Sequence, residues 1–307
     1  MAITYRNGVS IAEIIVYLPA LAIAIFLSFR HGFGRSSGWL YIIIFCLARL
    51  IGPIMQLMTI TRPADISLFT GSVILQTIGL SPLLLASLGL LSRVLESINK
   101  SHHTVINIQI LKVIQSIPTI GLVLGIIGGV DASNHIATGG GYHPGPLNKA
   151  GTALFIVAYV VIVLATIMIS FHASHAEPGE KRLVLAVAIS LPFILVRLIY
   201  AIMATFTKIN SFNQITGSVT ILLCMSLIME FIVVLAYEVT GLGLPTIPKP
   251  QQPQVARPAR STRRNNHRTR GRAGAGNVAR VIAQKSRIGG LVAAALSKNY
   301  DTDVEMH

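Results

Sequence analysis

The chain has 307 residues and is 52% hydrophobic and only 12% charged, with a mean hydropathy of +0.67. Soluble domains carry about 25% charged residues, so this composition excludes an ordinary soluble fold and points to a membrane protein. The formal net charge is +14. Most of the excess lies beyond Thr240, where twelve Lys/Arg face three acidic residues.

Taken in chain order, seven apolar runs reach the roughly 20 residues needed to cross a bilayer core. They cover about 9–29, 38–58, 71–92, 108–130, 150–172, 183–206 and 217–239. Isolated runs of this length span only as helices, because each must satisfy its own backbone polar groups. Pro19, Pro53, Pro82, Pro118 and Pro192 fall inside them and predict kinks. The first run carries Glu13 and is followed by no small-residue cleavage site, which favours a retained signal anchor. Cys46 and Cys224 each sit within an apolar run, so no disulfide framework is implied and each reads as a small buried side chain.

The first, third and fifth loops hold Arg30, Arg35, Arg93, Lys100, Lys181 and Arg182, against Arg6, Arg62, Lys149 and Lys208 on the opposite side. The basic tail falls on the richer side. The positive-inside rule therefore predicts an outer or lumenal N-terminus and a cytosolic C-terminus.

Two stretches repeat in register. Leu47-Ala48-Arg49-Leu50-Ile51 in the second run answers Leu195-Val196-Arg197-Leu198-Ile199 in the sixth. Thr70-Gly71-Ser72-Val73 answers Thr216-Gly217-Ser218-Val219, Ser28-Phe29 answers Ser170-Phe171, and Tyr17 answers Tyr159. A matched arginine and a matched TGSV in the same order predict an internal duplication. Its halves cover about 9–92 and 150–239, with a linker helix at about 108–130. The predicted fold class is thus all-α, with seven transmembrane helices in a 3+1+3 parallel repeat. The SWEET-type sugar transporters share that topology, which carries no function by itself.

At Arg30-His31-Gly32-Phe33-Gly34-Arg35-Ser36-Ser37-Gly38-Trp39, after the opening Ser10-Ile11-Ala12-Glu13-Ile14, the chain resembles a family of filamentous-fungal seven-helix membrane proteins. That family is known as a domain of unknown function. The resemblance runs from about residue 9 to residue 237. It implies an integral membrane protein and supplies no catalytic or ligand residues.

The domain boundary falls near residue 239. Residues 240–307 begin with a Pro/Gly/Gln-rich linker, continue through an Arg-rich run too poor in apolar residues to fold, and end in a basic, partly amphipathic stretch. A tethered basic tail meets the anionic cytosolic leaflet first, so lipid is its expected partner and nucleic acid is not.

Charge inside the membrane is costly and is either paired or functional. Arg49, Arg197 and Glu230 lie near mid-helix, and Glu13 lies nearer the outer end. Depth along the helices pairs Glu13 with Arg197 and Glu230 with Arg49. Arg49, Gly52, Pro53 and Gln56 share one helix face, as do Ser190, Phe193, Arg197, Tyr200 and Ala201. Gln109, Lys112, Ser116 and Thr119 make a third polar stripe on the linker helix. Three such stripes can enclose one cavity or simply bond helix to helix. The ligand-binding candidates are Arg49, Arg197, Gln56, Tyr200 and Lys112, with Glu13 and Glu230 as charge partners. This favours a carrier or binder of a small polar or anionic solute, with no cofactor.

The rival is a divergent seven-helix receptor signalling through its tail. Against a familiar one, helix three ends Ser92-Arg93-Val94 without an acidic-Arg-aromatic triplet, and helix seven lacks both proline and lysine. A structural or lipid-organising role is a further alternative, and a zinc-dependent membrane hydrolase comes last. His31, His102, His103, His172 and His175 cluster at one predicted face, but no carboxylate accompanies them at helix depth, so they read as surface histidines and no metal is expected. The loop at about 131–149, with Gly139-Gly140-Gly141, lacks a phosphate-loop lysine and reads as a connector.

Overall fold

In a computed structural model, the described residues are 4–31, 37–62, 65–101, 108–137, 144–172, 179–207, 209–212 and 217–244. The tail, His102, His103, His175 and the triple-glycine stretch lie outside them, as do the side chains of Gln109, Lys112 and His172. The chain forms α1 (Tyr5–His31), α2 (Ser37–Met58), α3 (Ile66–Ile78), α4 (Leu80–Ser101), α5 (Ile108–Ala137), α6 (Pro146–His172) and α7 (Lys181–Phe206). A 3₁₀ turn (Asn210–Phe212) then leads to α8 (Val219–Leu222), a π-helical turn (Leu223–Leu227) and α9 (Ile228–Leu242). The described residues contain no strand, and seven helical stretches are long and apolar enough to cross a membrane.

Two of the seven runs are interrupted. The third is divided at Gly79 into α3 and α4. Pro82 stands in the first turn of α4 and has no N–H for the carbonyl of Ile78, so the ladder of helical bonds lapses there. The seventh run carries the π turn, one turn before Glu230. The linker helix is longer than its apolar run suggests. Its last turns take in Asp131, and α6 starts at Pro146, so much of the expected 131–149 connector is helical.

The third run is the centre of the bundle. Every residue from Leu80 to Leu91 is buried, and α4 packs against α2, α5, α6 and α7. The other helices surround it, with α1 against α2 and α9, and α7 against α6 and α9. A helix apolar all round belongs at the middle of such a bundle, whereas the outer helices turn Ile, Leu, Val and Phe outward, as helices suited to face lipid do.

Between membrane helices there is little hydrophobic driving force, so close packing needs small residues. The α5–α6 contact shows this: a Cβ at Gly151 would sit 2.9 Å from the Gly121 carbonyl oxygen, and one at Gly128 would meet Asn148. The C-terminal end of α9 is fastened to α1 by side chains. Arg30 donates to the carbonyls of Leu242 at 2.9 Å and Leu244 at 3.2 Å. His31 bonds the Gly241 carbonyl at 3.1 Å and stacks on Trp39. Cations at a helix C-terminus satisfy orphan carbonyls and oppose the helix dipole. His31 is therefore buried and engaged, not the surface histidine expected from its loop position. Cys46 is buried as expected, but Cys224 is exposed on the π turn.

Candidate functional site: a buried arginine–glutamate cluster

The four intramembrane charges singled out above, Glu13, Arg49, Arg197 and Glu230, meet at one place. Arg49 comes from α2, just before Pro53, whose missing N–H leaves the Arg49 carbonyl without its helical partner and loosens α2 there. Arg197 comes from the middle of α7, and Glu230 from the first turn of α9. The π turn ahead of Glu230 shifts the register of the helix, and both Ser226 and Glu230 end up fully buried on its inner side.

Glu230 is the hub. Its Oε2 pairs with Arg49 Nη2, and its Oε1 accepts from Arg197 Nε at 2.5 Å. Ser226 Oγ also reaches Glu230 Oε1, at 3.5 Å. Arg49 extends the chain in the other direction, with Nη1 donating to Glu13 Oε1 at 3.2 Å. Arg197 Nη2 reaches the Gln76 carbonyl of α3 at 3.4 Å. The result is a ladder running Glu13–Arg49–Glu230–Arg197, all four residues at least nine-tenths buried. Each guanidinium also lies over an aromatic ring, Arg49 over Phe45 at 5.7 Å and Arg197 over Tyr200 at 5.6 Å.

Gly79 makes room for this arrangement. A Cβ there would lie 2.8 Å from Arg49 Nη2 and 2.9 Å from Glu230 Oε1. The break between α3 and α4 thus places bare backbone against the ion pairs.

Depth had paired Glu230 with Arg49, and they are paired. It had also paired Glu13 with Arg197, and that is corrected: Glu13 binds Arg49, and Arg197 shares Glu230. The reason is lateral. α1 packs on α2 and α9, so Glu13 meets Arg49 first, whichever arginine matches its height better.

Two of the three polar stripes line the interior. Gln56 is buried and accepts from Ser72 Oγ at 3.2 Å, and Tyr200 lies buried under Arg197. Of the stripe on α5, the two described side chains do not join them. Ser116 and Thr119 are exposed and bond to carbonyls of their own helix. Each hydroxyl donates its O–H locally, to the Val113 and Gln115 carbonyls, so neither has reason to face inward.

Gly79, Gln76, Ser226 and Phe45 were not anticipated as parts of the site. The Gly79-x-x-Pro82 spacing within an apolar run was the one available signal for Gly79. Among the described residues, no group of three or more His, Cys, Asp or Glu side chains is placed to hold a metal.

The class these observations define is a polytopic helical membrane protein with a charged cluster buried among its helices. The chain belongs to a family described as a domain of unknown function, DUF7702, which is matched over residues 3–247. No curated protein and no solved structure matches it.

Proposed function

We propose that this protein is a carrier or binder of a small polar solute that docks on the Arg49–Glu230–Arg197 cluster, with no catalytic step and no cofactor. One observation carries the reading. Two buried guanidiniums share a single carboxylate, and Arg49 Nε and Arg197 Nη1 still have no hydrogen-bond partner among the described residues. An unsatisfied buried donor costs about 1–3 kcal/mol, more for a charged group, so solute oxygens that accept from these donors bind favourably.

Charge narrows the solute. Arg49 and Arg197 are balanced by Glu13 and Glu230, so the ladder is neutral as it stands. A neutral solute rich in oxygen acceptors fits that balance. An anion would need to bring a proton or a cation with it, because net charge in a low-dielectric site is costly.

The reading extends to architecture. The arginines at matched positions of the two halves meet on one carboxylate, which supports a 3+1+3 parallel repeat with the solute site between the repeats. Loop charge supports an outer or lumenal N-terminus and a cytosolic tail lying against anionic lipid. A sensor that binds the same solute without moving it is the competing role.

Thermal stability of purified protein, wild type and Arg197→Leu, measured against sugars, polyols, amino acids and small anions, tests the site. A compound that raises the wild-type melting temperature and not that of the variant makes Arg197 a ligand residue. If no compound does so and the variant is merely less stable, the cluster is a structural lock and the proposal fails. Uptake of the binding compound into proteoliposomes then separates carrier from sensor.

A further inference from the structure

Beside the cluster, a cleft of about 120 Å³ opens between α1 and the interrupted seventh helix. On α1 it is lined by Val9, Ala12, Glu13, Val16 and Tyr17; across from them stand Leu227 of the π turn and Phe231 of α9. Ala12 and Ile228, at its edges, are exposed, so the cleft opens outward from the bundle at a level where apolar side chains face lipid. Its walls are apolar almost throughout. The polar groups lie at its inner end, Glu13 and Tyr17.

Glu13 is nine-tenths buried and lines this cleft at its inner end. Its Oε1 is taken by Arg49, while Oε2 has no partner among the described residues. The Tyr17 hydroxyl has only a long contact, 3.5 Å to the Leu227 carbonyl. One strong acceptor and one weakly engaged hydroxyl thus sit at the end of an apolar slot. Water is a poor occupant, since the slot offers it few polar partners. The surrounding solvent at this depth is hydrocarbon.

We propose that this cleft is a lateral binding site for a single-chain neutral lipid alcohol, whose hydroxyl donates to Glu13 Oε2 while its chain lies between α1 and the π turn. Charge selects the head group. The neighbouring ladder is already neutral, so an ammonium head would add an uncompensated positive charge and a carboxylate head would face Glu13 directly. A hydroxyl brings a donor and no charge. Its own burial in hydrocarbon is costly without a partner, so the head is driven to the one strong acceptor present. Size agrees. A cavity of roughly 150 Å³ holds a benzene-sized group, so this cleft takes the hydroxyl and about the first five or six carbons. The open side lets the remainder of the chain run out into the bilayer. This site does not rest on the solute reading above, since it lies outside the arginines and uses the oxygen of Glu13 that they leave free.

The test is photolabelling of the full chain in phosphatidylcholine nanodiscs with a hexadecanol carrying a diazirine near its hydroxyl. Label is expected on peptides holding Val9–Tyr17 and Leu223–Phe231, displaced by 1-decanol and neither by decane nor by decylammonium. Ala12→Trp fills the slot from its lipid edge without touching the ion pairs, and should abolish that labelling. Glu13→Gln should weaken it about tenfold, the value of a hydrogen bond to a charged acceptor. If Glu13→Gln does not fold, Ala12→Trp and Ile228→Trp carry the test alone. Displacement by decane as effective as by decanol would show an apolar slot with no head-group recognition and overturn the proposal. Preference for decylammonium would overturn it too, as would undiminished labelling in Ala12→Trp. Solute stabilisation measured on Ala12→Trp should persist, which keeps failure here distinct from failure of the solute site.

Discussion

Glu230 holds together three helices through two arginines, and its loss should be felt more than that of any partner. Breaking a buried ion pair costs about 3–5 kcal/mol because a charge is left uncompensated. Glu230→Leu leaves Arg197 with no carboxylate and Arg49 with Glu13 alone. Arg197→Leu, by contrast, leaves Glu230 paired with Arg49. Chemical denaturation in mixed micelles should therefore rank Glu230→Leu as clearly less stable than Arg197→Leu. Double-mutant cycles sharpen this. Arg49/Glu230 and Arg197/Glu230 should each show a coupling of about 0.5–3 kcal/mol, and Arg197/Glu13, linked only through the two residues between them, a clearly smaller one. An Arg197/Glu13 coupling as large as those of the direct pairs would restore the pairing that depth alone suggests. Gly79→Ala is the steric counterpart. Its methyl enters the space of Arg49 Nη2 and Glu230 Oε1, and these side chains cannot move away without giving up their bonds. A cost of about 1–3 kcal/mol is expected in the same denaturation experiment. An unchanged stability would mean that the cluster is looser than its geometry implies.

Among the elements, the two interruptions explain how helices this apolar bring charges together. A continuous third helix would present a Cβ where Gly79 stands. A regular seventh helix would turn Ser226 and Glu230 by the register of one residue. Both defects fall where the ladder passes, at Gly79 and within one turn of Glu230. Breaks and π turns at buried polar sites commonly mark function, because they expose backbone groups that would otherwise be bonded. Elsewhere the helices pack by smallness. Gly151→Val should push α6 away from α5, since its Cβ faces the Gly121 carbonyl oxygen at 2.9 Å and backbone cannot step aside cheaply. The expected effect is a loss of about 1–3 kcal/mol with the arginine cluster's ligand response unchanged. A thermal shift screen on this variant reads both quantities at once.

For the whole molecule, the charge bias of the loops carries the proposed orientation. Arg30 and Arg182 lie on the side to which the tail is assigned, together with Lys181. Single cysteines placed at Thr4 and at Ser261, in a background lacking Cys46 and Cys224, should react differently with a membrane-impermeant maleimide on intact cells. Residue 4 should label if the protein is at the cell surface, and residue 261 only after permeabilisation. Labelling of residue 261 on intact cells would invert the topology and remove the leaflet reading of the tail. For an endomembrane location the same pair is read on sealed microsomes, where residue 261 labels and residue 4 is protected. The seven spans were plain in the sequence, because twenty consecutive apolar residues are a local property that no folding partner alters. The buried faces of α2 and α7 were equally plain, since Arg49 and Gln56, or Ser190 and Arg197, repeat at helical spacing. Ser116 and Thr119 on α5 obeyed the same spacing and face outward, because a hydroxyl can satisfy itself on its own helix and needs no interior.

The sequence by itself determined how many times the chain can cross a membrane, which ionisable groups lie within the crossings, and where the apolar part gives way to the basic tail. Those are sums over neighbouring residues. Only the tertiary structure decided that Glu13 meets Arg49 and that two arginines share Glu230. It also decided that His31 caps α9 from within, and that Gly79 lies against the ion pairs. Depth along a helix is written in residue count, at about 1.5 Å each. Its rotation and its neighbours are not, and a buried charge pairs with whatever those two quantities place within reach of its side chain.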